Sequence, residues 1–160
     1  MSVKDPYARL RPPLPTPIDE QCGCSGDPPI MLRSVLASNP VACVECNLEV
    51  PPERLGFTSE LAAALAGWRA FHDCFFILWL DSQEFESWAQ AQLETPDSPV
   101  NRRGLALASE LNAYRKCYYW WFARENFSTP EICRVCSGHL ERASYGVTCE
   151  NCQILYCEES

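Results

Sequence analysis

From Ser59 onward apolar side chains recur at a helical interval, with Leu61, Ala64, Leu65, Trp68, Phe71 and His72 falling at i, i+3, i+4, i+7, i+10 and i+11. That stripe needs a sheet to cover. Cys74 to Leu80 follows, apolar throughout and of strand length, which reads as a strand buried on both faces. Asp81 with Glu84 three positions on gives a capping box, and the helix it opens turns Phe85, Trp88, Ala89 and Leu93 inward until Thr95-Pro96 stops it. Ser98 before Pro99 is an N-cap with proline at the first helical position. Leu107, Ala108, Leu111 and Tyr114 give this third helix its stripe, which Gly104 weakens a little. Cys117 to Phe122 is a second aromatic strand, and the order strand, helix, helix, strand predicts a right-handed parallel crossover.

Upstream, residues 1–29 form a Pro-rich lead-in that holds Cys22-Gly23-Cys24 and the turn signals of Gly26 to Pro29. Residues 30–58 open with a short strand, Ile30 to Leu36, run into a Cys43-x-x-Cys46 knuckle and end at Pro51-Pro52. Residues 59–128 are the central unit and residues 129–160 a C-terminal ribbon. The expected class is α+β: a compact α/β unit of two aromatic strands and three helices, flanked by two cysteine-bearing modules.

The ribbon carries the most specific chemistry. Cys133-x-x-Cys136 and Cys149-x-x-Cys152 are two knuckles separated by twelve residues. Two residues between cysteines let both sulfurs turn to one point, and two such knuckles complete a tetrahedron of thiolates at about 2.3 Å from Zn²⁺. Twelve residues suffice for a hairpin between them, and a four-cysteine shell leaves the metal no open position. Cys22-x-Cys24 with Cys43-x-x-Cys46 is a candidate second site with one tighter spacing; the alternatives are a site that uses only one of Cys22 and Cys24, or a redox pair at Cys43 and Cys46. Cys74 and Cys117, at the predicted strand starts, read as buried small hydrophobes, and Cys157 as a plain thiol.

Composition narrows the rest. At 47% hydrophobic and 11% aromatic residues the chain is not a disordered one. Its 160 residues bury roughly two-thirds of their unfolded surface, so metal is not needed to rescue a small core. No uninterrupted apolar run reaches a membrane span and no secretory signal opens the sequence, which predicts a cytoplasmic protein; eleven cysteines there point to metal ligation over disulfides. The formal charge is −8, and eight thiolates on two Zn²⁺ ions take it to −12, a field that favours basic partners over phosphate backbones.

Other candidates weigh less. His72-Asp73-Cys74 suggests a nucleophile with its base, but His72 continues the helical stripe and Cys74 opens the strand, so core roles are expected. His139 reads as a surface residue. With two histidines, no Gly-rich phosphate loop and no converging carboxylates, no enzyme activity is expected. Arg102, Arg103, Arg115, Lys116 and Arg124 interleave with Tyr114, Tyr118, Tyr119, Trp120 and Trp121, the composition of a single-strand stacking surface, against the plainer reading of a buried strand beside a solvated helix face. Asp81, Glu84, Glu86 and Glu94 form a stretch without a basic residue, suited to a solvated face or a basic partner.

The segments Leu78 to Trp88, Ser98 to Leu105 and Tyr118-Tyr119, with Pro40 to Cys46, Val50-Pro51, Arg54-Leu55 and the ribbon through Ile154-Leu155, resemble a bacterial family of unknown function described as zinc-ribbon-containing and nucleic-acid-binding. The resemblance spans roughly residues 40–157 and implies metal roles for Cys43, Cys46, Cys133, Cys136, Cys149 and Cys152; Cys22-x-Cys24 has no counterpart in it. The expected function is a non-catalytic zinc protein that binds a basic protein, in the manner of an immunity or antitoxin protein. Nucleic-acid binding through the ribbon and the Arg102 to Arg124 patch is the alternative, and thiol-redox chemistry at Cys43 and Cys46 the weaker one.

Overall fold

The computed structural model describes residues 15–123 and 128–157. Six short strands form one sheet in the order β2-β1-β3-β6-β5-β4: β1 (Ile30–Leu32), β2 (Val41–Cys43), β3 (Cys117–Trp120), β4 (Glu141–Ala143), β5 (Gly146–Cys149) and β6 (Ile154–Tyr156). β1, β3 and β6 run parallel, while β2 and β5 pair antiparallel to their neighbours. The sheet therefore passes without a break from the first knuckle segment through the aromatic strand into the ribbon.

Three helices follow one another between β2 and β3: α1 (Ser59–Asp81), α2 (Glu86–Glu94) and α3 (Pro99–Leu111). α1 packs along α2 and α3, and α3 lies on β3 and β1. The segment Cys74 to Leu80 is thus helical, which corrects the predicted first aromatic strand and removes the crossover built on it. The buried ladder of α1, Leu61, Leu65, Trp68, His72 and Phe75, carries the 3.6-residue period straight through residue 74, and neither proline nor a cap interrupts it. An apolar run of this length has no period of its own to separate strand from buried helix. Cys74 is exposed on the far side of α1, whereas Cys117 is buried as predicted.

The second helix also starts later than its predicted capping box. Asp81 closes α1; Ser82 Oγ accepts from Phe85 N at 3.0 Å, and Glu86 Oε1 accepts from Gln83 N at 3.2 Å. These bonds come from two different residue pairs, so they order the linker between the helices without forming a reciprocal capping box, and Phe85, the residue before α2, makes no side-chain cap. Two other boundaries match their signals, Ser98 accepting a backbone N–H at the start of α3 and Thr95 ending α2; at the start of α1 the cap is Thr58, which accepts from Leu61 N.

α1 is long and apolar enough to cross a membrane by length and composition, with a mean hydropathy of 1.3 over its most apolar stretch, so the expectation drawn from uninterrupted runs understates it. Only 22% of that stretch is buried. The helix that meets the sheet at van der Waals closeness is α3, with Trp68 of α1 reaching the same point. A Cβ at Gly104 of α3 would meet Tyr119 Cζ at 2.7 Å and Trp68 Nε1 at 3.0 Å, so glycine there is the condition for helix and sheet to touch. Asn101 fixes the same junction, donating to Leu93 O at 2.9 Å and Thr95 O at 2.8 Å while accepting from the Tyr119 hydroxyl at 2.8 Å.

Candidate metal centres

Each Cys-x-x-Cys knuckle closes on a residue with left-handed backbone: Asn47 (φ 63°), Ser137 (φ 56°) and Gln153 (φ 54°), each immediately after the second cysteine. The bonding repeats as well. Asn47 N donates to Cys43 O at 3.0 Å and Ser137 N to Cys133 O at 2.9 Å, while Cys43 N donates to Leu48 O and Cys133 N to Gly138 O, both at 2.9 Å. Ala42 pairs with Glu49, Ile132 with His139 and Thr148 with Leu155, so in all three the residue before the first cysteine faces the one six beyond it. One local structure is used three times. It turns both sulfurs of the pair to the same side and leaves the turn N–H groups free to donate to them, as Val135 N does to Cys133 Sγ at 3.4 Å.

Two of these knuckles meet at the C-terminal centre. Cys133, Cys136, Cys149 and Cys152 bring their sulfurs within 4.8 Å of one another, with Cys136 and Cys149 Sγ at 3.6 Å. A tetrahedron of sulfurs at the usual metal distance has edges of about 3.8 Å. At the other centre the third knuckle meets a different partner. Cys22 N donates to Glu49 O at 2.7 Å, which lays the Cys22-Gly23-Cys24 segment along the far arm of the Cys43 knuckle. Cys22, Cys24, Cys43 and Cys46 then also lie within 4.8 Å of one another. Arg54 holds the strap down by donating to Cys22 O at 2.6 Å and Cys24 O at 3.2 Å. Among the described residues, these two groups of four are what can hold a metal ion.

The sulfur electrostatics express the demand for a cation. Burial alone would raise the Cys22 thiol, but the backbone N–H of Cys24 and hydrogen bonds with Cys46, Cys43 and Cys24 outweigh it and bring Cys22 down to about 7. Its neighbour Cys24 is pushed up to about 12, first through its hydrogen bond with Cys46. At the C-terminal centre the Gly138 N–H leads in lowering Cys136 to about 6, while burial and the neighbouring thiols raise Cys149 to about 11. Four thiolates that close cannot all ionise unaided; a divalent ion lifts the repulsion.

Both centres sit at one end of the sheet. Cys43 ends β2 opposite Ile30, the first residue of β1, and Cys149 ends β5 opposite Ile154, the first residue of β6. Three strands lie between them, which places them about 19 Å apart along the sheet. Their inner ligands, Cys22, Cys43, Cys133 and Cys149, are buried in one cluster with Leu61, Trp68, Leu111 and Tyr119. The turn from α3 into β3 ties the two together. Arg115 pairs with Asp27 beside the first centre at 2.6 Å, and Lys116 pairs with Glu150, inside the second, at 2.8 Å. Asn112 donates to Gln153 Oε1 at 2.9 Å and accepts from Cys117 N at 3.0 Å. No sequence pattern announced this turn.

The remaining candidates do not converge on one site among the described residues. Arg102 and Arg103 lie exposed on the first half of α3, Arg103 over the Phe71 ring at 4.8 Å, while Arg115 and Lys116 are beyond its other end and already ion-paired. Arg124 lies outside the described residues. Tyr118, Tyr119 and Trp121 are buried, so they offer no open ring face. His72 is 2% exposed and stacks near Trp68, on the opposite side of α1 from Cys74, so the two do not converge. His139 is exposed. Asp81, Glu84 and Glu86 are exposed at the α1–α2 junction, and Glu94 accepts from Gln90 at 3.1 Å. No family model, curated protein or solved structure matches the chain. The chemistry of the two clusters therefore rests on their own geometry.

Proposed function

We propose that the chain is a non-catalytic zinc protein that holds one Zn²⁺ in each four-cysteine cluster and binds a protein partner of basic surface. The observation that carries the metal reading is the repeated knuckle: the same turn, the same register and the same inward sulfurs at three places, completed into two tetrahedral sets. Four thiolates with turn N–H donors are the donor set that zinc takes in structural sites. Zinc so held supplies cross-linking and charge neutralisation, with no open position to activate water. The protein then contributes positions: Cys43 and Cys149 end strands of the shared sheet, so each ion pins a strand end to a loop.

The basic-partner reading is supported by charge. Between His72 and Arg102 the chain has six acidic residues and no basic one. Arg115 and Lys116 are spent on Asp27 and Glu150, which leaves the described part of the predicted cationic patch to Arg102 and Arg103. Fluorescence anisotropy with labelled single-stranded RNA, single-stranded DNA and a lysine-rich peptide, at about 50 and 300 mM salt, tests it. The expected result is saturable binding of the peptide, weaker at the higher salt, and none of the nucleic acids. Saturable RNA or DNA binding that falls steeply with salt would give the function to nucleic-acid recognition instead.

A further inference from the structure

Among the described residues, four of the exposed large hydrophobic side chains fall within twelve consecutive positions: Ile77 (53% exposed), Leu80 (56%), Phe85 (52%) and Trp88 (52%). They occupy the last turn of α1 and the start of α2, the tip of a helical hairpin. Trp88 packs on Phe75 at 5.6 Å, which ties the exposed part of α2 to the last turns of α1. Single exposed apolar residues are ordinary, whereas a concentration at one hairpin turn marks an interaction surface.

The face of α1 leading to this tip is uncharged for a structural reason. The two charged residues in its middle are turned aside to the loop after β1. Arg69 donates to Ser38 O at 3.1 Å, and Asp73 accepts from the Ser34 hydroxyl. The outward positions Ala66, Ala70, Cys74 and Ile77 are left exposed without a charge among them. Among the described residues, the charges that rim the tip are of one sign. Asp81, Glu84 and Glu86 are all exposed there.

That sign selects the occupant. A second copy laid antiparallel on α1 would set Glu60 of one chain against Asp81 of the other, and a parallel copy would set one acidic tip against another; both oppose like charges. An anionic lipid surface meets the same repulsion from a chain of formal charge −8. A helix with one apolar face flanked by lysine or arginine satisfies the apolar and the acidic parts at once.

We propose that the tip of the α1–α2 hairpin docks a basic amphipathic helix of a partner protein, its apolar face on Ile77, Leu80 and Phe85 and its cationic side chains on Asp81 and Glu84. This placement rests on the reading that the partner is basic, and adds where it binds and in what form.

The probe is a leucine–lysine peptide about five turns long in helical amphipathic order, with a scrambled peptide of equal composition as control. Titration into the metal-loaded protein is expected to show the ordered peptide binding more tightly than the scrambled one. Leu80→Ser with Phe85→Ser should weaken it roughly tenfold or more. Asp81→Asn with Glu84→Gln should weaken it less and flatten its salt dependence. Metal content and circular dichroism should be unchanged in both, because all four side chains are exposed. If the wild-type protein binds the peptide and both variants bind it equally well, the basic-partner reading stands and the hairpin placement is overturned. If the wild-type protein binds neither peptide, both fall. Concentration-dependent dimerisation that Leu80→Ser with Phe85→Ser abolishes would overturn the proposal in favour of a second copy, and co-sedimentation with neutral phosphatidylcholine vesicles would overturn it in favour of lipid.

Discussion

His72 shows what a single residue costs this core. Its ring lies 5.2 Å from that of Trp68 and 6.3 Å from that of Phe76, and its Nδ1 is buried without a partner. Burial brings its pKa down to about 4, against which the charge of Asp73 acts only in part. The neutral ring is thus favoured by the fold, so its contribution to stability is fully present above the unfolded value near 6.5 and is lost as pH falls toward 4. Between pH 7 and pH 5 the protein should lose about 2 kcal/mol to this group. Urea denaturation at the two pH values checks it: His72→Phe, which keeps the ring and removes the titration, should reduce the pH-dependent loss by about that amount, and an unchanged loss would assign it to other groups. The sequence placed His72 correctly because the helical stripe ran through it. It could not show the three left-handed positions after Cys46, Cys136 and Cys152, since only Asn47 is a residue that favours that backbone; Ser137 and Gln153 are held there by the knuckle.

At the level of elements, the signals that act locally were legible. Ser98 caps, Thr95 stops, and β5 and β6 form on either side of the Cys149 knuckle within the predicted ribbon. What failed was a distinction that depends on tertiary neighbours. Phe76 and Trp79 read as strand residues because they are apolar on a side that a lone amphipathic helix would expose; that side is covered by Phe122, with ring centroids at 6.4 and 4.9 Å. The dependence of β4, β5 and β6 on the C-terminal centre gives an element-scale prediction. Cys149→Ser removes a buried ligand at the strand end, and a structural zinc site contributes on the order of 10–16 kcal/mol to the segment it closes. Hydrogen exchange should then quicken in residues 133–156 while the inner face of α1 keeps its protection. Uniformly faster exchange, or none faster, would contradict a local role for that centre.

On the scale of the whole molecule, the two clusters lie at the same end of one sheet, and the turn at residues 112–116 bonds to both. That arrangement was out of reach of the sequence, because the parallel pairing of β1 with β3 and of β3 with β6 joins strands separated by the entire helical insertion or by the ribbon loop. It explains why the lead-in strap matters: Cys22 and Cys24 complete a centre whose other ligands belong to β2 and its knuckle, so residues far upstream of the helices help fix the sheet edge. The central claim is that eight of the eleven cysteines are ligands to two ions. Metal analysis of the purified protein combined with X-ray absorption at the metal edge tests it most directly. The account predicts two zinc ions per chain, each in a shell of four sulfurs at about 2.3 Å. Zinc below one equivalent, a nitrogen or oxygen ligand in either shell, or disulfides among these cysteines would contradict it.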